Sequence, residues 1–361
     1  MQRAMQAGRR LLRARRPAGA AIAAMLCAAA LLLAPVLLRA QDVSFFRIGT
    51  GSTSGTYFPI GGLLANAISK PPGSRDCDQG GSCGVPGLIA VAQSTEGSVA
   101  NIRGIADGSL ESGLAQADIA YWAYHGQGIF KDTGPITSLR SIASLFLESV
   151  HLVVSRDKGI NSVADLRGRR ISLDREGSGT RVDALLILKA YGLSLDDIDA
   201  QALSSGEAAD ALRAGEIDGF FMVVGAPANA VVPLADDSLV SLVPITGPEA
   251  DSLIKSYPFF SRAHIPSGTY FNVADTQTLA VGAQWLVSEA VPEDLVYEIT
   301  RALWHKNTRQ LLDKGHPRGR EITLQTALDG LVVPLHPGAR RYYSELNTPF
   351  LGKVGASDPV D

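Results

Sequence analysis

Short apolar runs recur along this chain, each followed by a turn rich in Gly, Ser and Thr and then by a stretch with helical spacing. Buried strands read as near-continuous apolar runs, and helices as apolar residues three or four apart. On that basis residues 45–48 are a first strand, and 57–69 a helix with Pro59 in its first turn, where proline is tolerated. Residues 88–93 are a second strand, and Ser94-Thr95-Glu96-Gly97-Ser98 leads into a helix that contains Asn101. Residues 113–116 are a short strand, and Asp118 is placed to cap a helix over 119–125. The alternation continues with a strand at 170–173, helices at 181–191 and 205–214, and a buried strand at 220–224. Residues 292–313 read as one helix with Leu295, Ile299 and Leu303 on one face. Two longer apolar runs, 139–154 and 279–287, are long enough to cross between lobes. Alternating strands and helices predict an α/β fold with mostly parallel sheets. In such sheets ligands sit beyond the carboxyl ends of the strands, where the Gly-rich turns lie.

The first 40 residues depart from this pattern. They hold seven arginines and no acid, and 22 uncharged residues rich in Ala and Leu separate Arg16 from Arg39. A basic segment followed by an apolar run is the pattern of an export signal. We therefore read residues 1–40 as a leader, cleaved near Ala40, with retention as an N-terminal anchor as the alternative; this places the protein in the periplasm. Residues 352–361 read as a disordered tail. The whole chain has a formal charge of −3, and without the seven leader arginines the remainder stands at −10. Nucleic acid would be repelled. An anionic ligand would have to be attracted locally, by backbone dipoles or an arginine side chain.

Cys77 and Cys83 are the two cysteines beyond the leader. In an oxidising compartment a local disulfide is expected. No histidine lies near them in sequence and the spacing fits no zinc pattern, so no metal is assigned. So short a loop stiffens its own segment more than the whole fold.

Two turns are the clearest candidates for binding: Gly49-Thr50-Gly51-Ser52-Thr53-Ser54-Gly55-Thr56 and Gly177-Ser178-Gly179-Thr180. A helix N-terminus presents unpaired N–H groups and about half a positive charge, and so holds anions without a charged side chain. Gly51, Ser54, Thr56 and Tyr57 are candidate contacts from the first turn, and Ser178, Gly179 and Thr180 from the second. Ser98 and Asn101 lie one helical turn apart and can share a face. Gln116 ends a strand in the expected crevice, Arg181 can pair with a carboxylate, and Gly225 lets backbone approach a ligand. Each has a plainer reading as a cap, a turn former or a surface ion pair. Phe221 reads as core. Glu148 and His151 fall on opposite faces of one strand and are taken as structural or hinge residues.

In order and number, these segments resemble the TAXI family of TRAP transporter solute receptors, from about residue 46 to 343. The resemblance is carried by Ile48-Gly49-Thr50-Gly51 with Tyr57-Phe58-Pro59-Ile60-Gly61, by Ser94-Thr95-Glu96-Gly97-Ser98-Val99 with Asn101, and by His151-Leu152-Val153-Val154. It continues through Gly177-Ser178-Gly179-Thr180, Tyr257-Pro258-Phe259, Pro266-Ser267-Gly268-Thr269-Tyr270 and Pro334-Leu335-His336-Pro337-Gly338-Ala339. The Cys77–Cys83 insert departs from the simplest family pattern. The resemblance implies a two-lobe periplasmic-binding-protein-like fold of type II, with crossing strands and a cleft that closes on its ligand. Lobe 1 would comprise residues 43–148 and 277–351, and lobe 2 residues 149–276. It further implies a small carboxylate ligand, such as a glutamate-like amino acid or a C4–C5 dicarboxylate, no cofactor and no catalysis, and delivery to TRAP membrane permease subunits. The same receptor architecture serving an ABC transporter or a membrane sensor is the alternative.

Two enzyme readings fare worse. Gly49-Thr50-Gly51 followed by Gly55 misses the dinucleotide fingerprint by one residue, and Lys70 stands where the ribose-binding acid is expected. For a serine hydrolase, no G-x-S-x-G elbow is read, and neither Gly-rich turn has a base partner evident in sequence.

Overall fold

Two long strands organise the computed structural model, which describes residues 43–346. The proposed leader and the tail at 352–361 lie outside the described residues. The chain opens with β1 (Ser44–Gly49), α1 (Tyr57–Ile68), β2 (Ser69–Lys70), β3 (Val85–Pro86) and β4 (Leu88–Gln93). It continues through α2 (Ser98–Asp107), β5 (Ser112–Gln116), α3 (Ala117–His125) and the first long strand, β6 (Leu139–Ser155). Then come β7 (Arg170–Ser172), α4 (Gly179–Ala190), β8 (Asp199–Gln201), α5 (Ser205–Arg213) and β9 (Gly219–Val224). After α6 (Val232–Asp236), β10 (Val240–Leu242), α7 (Pro248–Ser256) and β11 (Ser261–Ile265), the second long strand is β12 (Thr276–Ser288). The chain closes with α8 (Glu293–Leu303), α9 (Lys306–Gly315) and α10 (Pro337–Glu345).

The fold is α/β with two lobes built on one mixed sheet in the order β4-β1-β5-β12-β6-β9-β7-β8. Pairing is parallel on both flanks, between β1 and β4, β1 and β5, β7 and β8, and β7 and β9. Through the middle, β12 runs antiparallel to β5 and β6, and β6 antiparallel to β9. The long strands thus do what their length predicts. The first part of β6 serves one lobe and the part from Ser149 pairs with β9 in the other. Both are buried almost throughout, which is why they read as long, largely apolar runs.

Separate cores lie on the two sides of the crossing. One gathers Phe46, Ile48, Ile60, Leu64, Trp285 and Ile299. Another gathers Leu152, Ile171, Ala184, Ile187 and Phe221, so Phe221 is a core residue, as read from the sequence. Cys77 and Cys83 form a disulfide. Among the described residues no helix is long and apolar enough to cross a membrane.

Three local expectations need correction. The single helix expected over 292–313 is two helices. His305 adopts extended backbone and its Nδ1 accepts from Asn307 N, so it starts α9 anew. Residues 305–310 carry no apolar side chain, but Leu311 and Leu312 resume the spacing in phase with Leu303, so the break shows in the sequence only as a gap. Helix α4 begins at Gly179, two residues before the expected start, because Ser178 Oγ accepts from Arg181 N as a true N-cap. Asp118 caps nothing. Helix α3 already starts at Ala117, and the Asp118 carboxylate is buried inside its first turn.

Candidate functional site

The sheet topology brings the N-termini of α1, α2 and α4 to one point at the carboxyl ends of the strands that precede them. β1 leads into the turn before α1, β4 into the Ser94–Gly97 turn before α2, and β7 into the turn before α4. A cavity of about 50 Å³ lies between these helix starts. That is room for on the order of four waters. Gly51, Thr56, Tyr57 and Ser98 line it from one lobe, and Ser178, Gly179 and Thr180 from the other. Its floor is Val223 and its neighbours in β9, with Gln116 and Glu148 completing the wall.

The lobes are in direct contact around this cavity. Gly97 has φ +125°, a conformation side chains rarely adopt, and a Cβ there would lie 3.3 Å from Ser178 Cα. Across the same seam, a Cβ on Gly179 would collide with Gln116 Oε1. Ala100 N donates to Gly177 O at 3.0 Å and Ala230 N to Ser54 O at 3.2 Å. Thr56 Oγ1 donates to Gly225 O at 2.8 Å, and Arg318 Nε to Ala226 O at 2.7 Å. Backbone meets backbone, and the glycines allow it.

These contacts sort the sequence candidates. Ser54 and Gly225 do not line the cavity; they act as lobe-to-lobe contacts through their carbonyls. Arg181, expected to pair with a carboxylate here, does not line it either; its backbone N–H is taken by Ser178 Oγ in the helix cap. Asn101 is likewise not a cavity residue. Its Nδ2 donates to Thr50 O at 2.6 Å and Leu114 O at 2.7 Å, and its Oδ1 accepts from Thr95 Oγ1 at 2.7 Å. Its helical-face relation to Ser98 was legible, but the carbonyl ends of β1 and β5 claim its amide first. Thr180 Oγ1 accepts from Val223 N at 3.0 Å, and Ser98 Oγ donates to Gln116 Oε1 at 3.2 Å. The hydroxyls therefore brace the cavity wall while they face it.

Glu148, taken from the sequence as structural or hinge, lines the cavity instead. It lies at the crossing of β6, 2% exposed, and its Oε2 accepts from Tyr57 Oη at 2.5 Å. Burial pushes its carboxyl up to about 8, against the opposing pull of the Tyr57 hydroxyl. At neutral pH it is an uncharged acid that can donate. Asp174, also at the cavity, is raised to about 6 by burial. His151, on the other face of β6, is structural as expected. Burial lowers it to about 4, Nδ1 donates to Ser149 O at 2.8 Å, and Tyr270 Oη donates to Nε2 at 3.0 Å.

One string was missed in the sequence. Gly80-Gly81-Ser82-Cys83-Gly84 spells G-x-S-x-G. It lies in the disulfide loop rather than on a strand-to-helix elbow, and Ser82 Oγ donates to Ser69 O. The fold also brings His305, remote in sequence, to 3.9 Å from Cys77 Sγ.

Residues 48–346 match the model of the NMT1-like family. The chain belongs to this family. Among solved structures it is similar to the alkanesulfonate-binding protein SsuA from Xanthomonas axonopodis pv. citri bound to MOPS, at 17% identity and a TM-score of 0.45, over 84% of this chain and 85% of that one. It is also similar to PhnD1 from Prochlorococcus marinus (MIT 9301) in complex with methylphosphonate, at 12% identity and a TM-score of 0.47, over 84% of this chain and 98% of that one.

The geometry separates bracing residues from closure residues. Asn101→Ala strands two buried carbonyls and should lower unfolding free energy in urea by about 2–4 kcal/mol. Gly179→Ala should keep a near-native unfolding midpoint while blocking the seam, so that solute affinity falls at least a hundredfold by calorimetry. For Glu148, the folded carboxyl ionises near 8 and the unfolded one near 4.5. Its contribution to stability is therefore fully present below 4.5 and lost as pH rises through 8. Glu148→Gln should then be more stable than wild type at pH 8–9, by roughly 2–5 kcal/mol, and nearly equal at pH 4.

Proposed function

We propose that this chain is an extracytoplasmic receptor that encloses a small anionic solute between its lobes and presents it to a membrane permease. The observation that carries the reading is the convergence of three helix N-termini on one small cavity. Their dipoles, with the first-turn N–H groups other than those that Ser178 Oγ and Gly177 O accept, supply the attraction that a mature charge of −10 opposes at long range. No catalytic step is assigned; of the cavity hydroxyls, those of Thr56, Ser98 and Thr180 are bound to carbonyl, amide or N–H partners.

The boundaries we propose follow the crossing strands: residues 43–148 with 277–351 for one lobe, and 149–276 for the other. The leader pattern supports a periplasmic location. The motif resemblance supports a carboxylate as the solute and a TRAP permease as the partner. Service to an ABC transporter is the competing reading, with oxyanions of sulfur and phosphorus as solutes: MOPS and methylphosphonate, bound in the SsuA and PhnD1 structures, are of that kind. The uncharged Glu148 bears on this choice. An uncharged donor at a cavity of this size suits a planar carboxylate or a compact tetrahedral oxyanion.

A thermal-shift screen of carboxylates, amino acids, sulfonates, phosphonates and phosphate separates the classes. At a thousandfold excess over Kd, a bound solute stabilises by about 4 kcal/mol. A carboxylate that alone gives such a shift supports the TRAP-type reading, and a sulfonate or phosphonate the ABC-type reading. No shift with any anion contradicts both.

A further inference from the structure

Helices α3 and α4 meet across the lobe seam beside the cavity, and each brings one acid to the contact. Asp118 lies in the first turn of α3, and Asp183 is one turn into α4. Both side chains are fully buried. The two carboxyls face one another within hydrogen-bonding reach. Gln116 Nε2 donates to Asp183 Oδ2 at 2.6 Å. Asp183 Oδ1 and both Asp118 oxygens meet no well-placed donor among the described residues.

The surroundings do not supply a counter-charge. From β6 the facing group is Glu148, itself an acid. From α1 it is Tyr57, whose hydroxyl is given to Glu148. Arg318 acts on Glu148 and is paired with Glu321. Neither aspartate has a Lys or Arg partner among the described residues. Only Gln116 and the amides that open α3 lend positive character.

Two carboxylates in contact and out of water do not both ionise. One proton between them converts the repulsion into a charge-assisted O–H···O⁻ bond. We propose that Asp118 and Asp183 form a proton-binding site split between the two lobes, so that lobe closure takes up a proton along with the solute. The pair does not line the cavity; its members act by positioning the lobes.

Opening the seam would wet both groups and return them toward the ordinary aspartate value of 3.8. In the closed form, burial raises Asp118 to about 6. Burial first, and then the Asp118 charge, hold Asp183 well above its ordinary value. Above the ordinary value the open form is ionised while the closed pair keeps a proton, so closure weakens as pH rises. The limit is tenfold per pH unit for one proton.

The solute half of this inference rests on the receptor reading, and the lobe half does not. Small-angle scattering of the solute-free protein, expressed with its own leader and purified after export, tests the lobe half. Working in a Glu148→Gln background removes that carboxyl, and Asp174, raised to about 6 by burial, is common to parent and variants, so the pair is read from the difference between them. That protein should be more compact at pH 5 than at pH 9. Adding Asp183→Asn should keep it compact at pH 9, because the amide can accept from Gln116 and donate to Asp118 without a proton; Asp118→Asn is the second variant. Equal expansion in parent and variants, or no pH dependence in any, overturns the proposal. So does compaction of the parent at pH 9 by added CaCl2, which would make the pair a metal site. For the solute half, the carboxylate or oxyanion found by the screen is titrated from pH 6 to 9. Its Kd should rise up to tenfold per pH unit in the parent and stay flat with Asp183→Asn; a flat profile in both overturns the coupling. A failed screen with a positive scattering result refutes the receptor reading alone.

Discussion

Contact between lobes at backbone distance is the constraint on which the rest of the structure depends. A Cβ on Gly97 would press on Ser178, and a Cβ on Gly179 would occupy the place of Gln116 Oε1. Only with bare backbone on both sides can the starts of α2 and α4 face each other over so small a space. The helix dipoles fall off within about one turn, so their value for an anion depends on this approach. The glycines thus serve electrostatics through sterics.

The same closeness explains the acids. A site meant to attract anions would be poorly served by ionised Glu148, Asp118 and Asp183. Burial raises all three, and the uncharged or proton-sharing forms are the ones compatible with the closed seam. Desolvation here acts on charge and on conformation together, since opening the lobes rehydrates the pair at the seam.

Much of the fold was legible because its signals are local. The strands at 88–93 and 220–224, the helix from Tyr57 and the long crossing runs follow from apolar continuity and turn chemistry within a few residues. Of the candidate site, the glycine turns and Ser98, Gln116 and Thr180 were legible as strand ends and helix starts. Arg181 was overvalued because its charge is visible in sequence, while its distance from the cavity is set by the rotation of α4. Asn101 was overvalued because its partners, Thr50 O and Leu114 O, come from two strands that only the sheet brings together. Glu148 and the Asp118–Asp183 pair were undervalued for the converse reason. Strand alternation separates Glu148 from His151 correctly, yet nothing local says that one face of that strand opens onto the cavity. The break at His305 shows only as a polar gap over 305–310, after which Leu311 and Leu312 resume the spacing of Leu303.

The central claim is that the seam encloses one small anion. Native mass spectrometry of the protein isolated after export tests it most directly, by weighing what the cavity retains. A single bound species per chain, of low mass and bearing an acidic group, is the expected result. A retained nucleotide, sugar or other large neutral compound, or an empty protein that takes up none of the small anions offered to it, would contradict it.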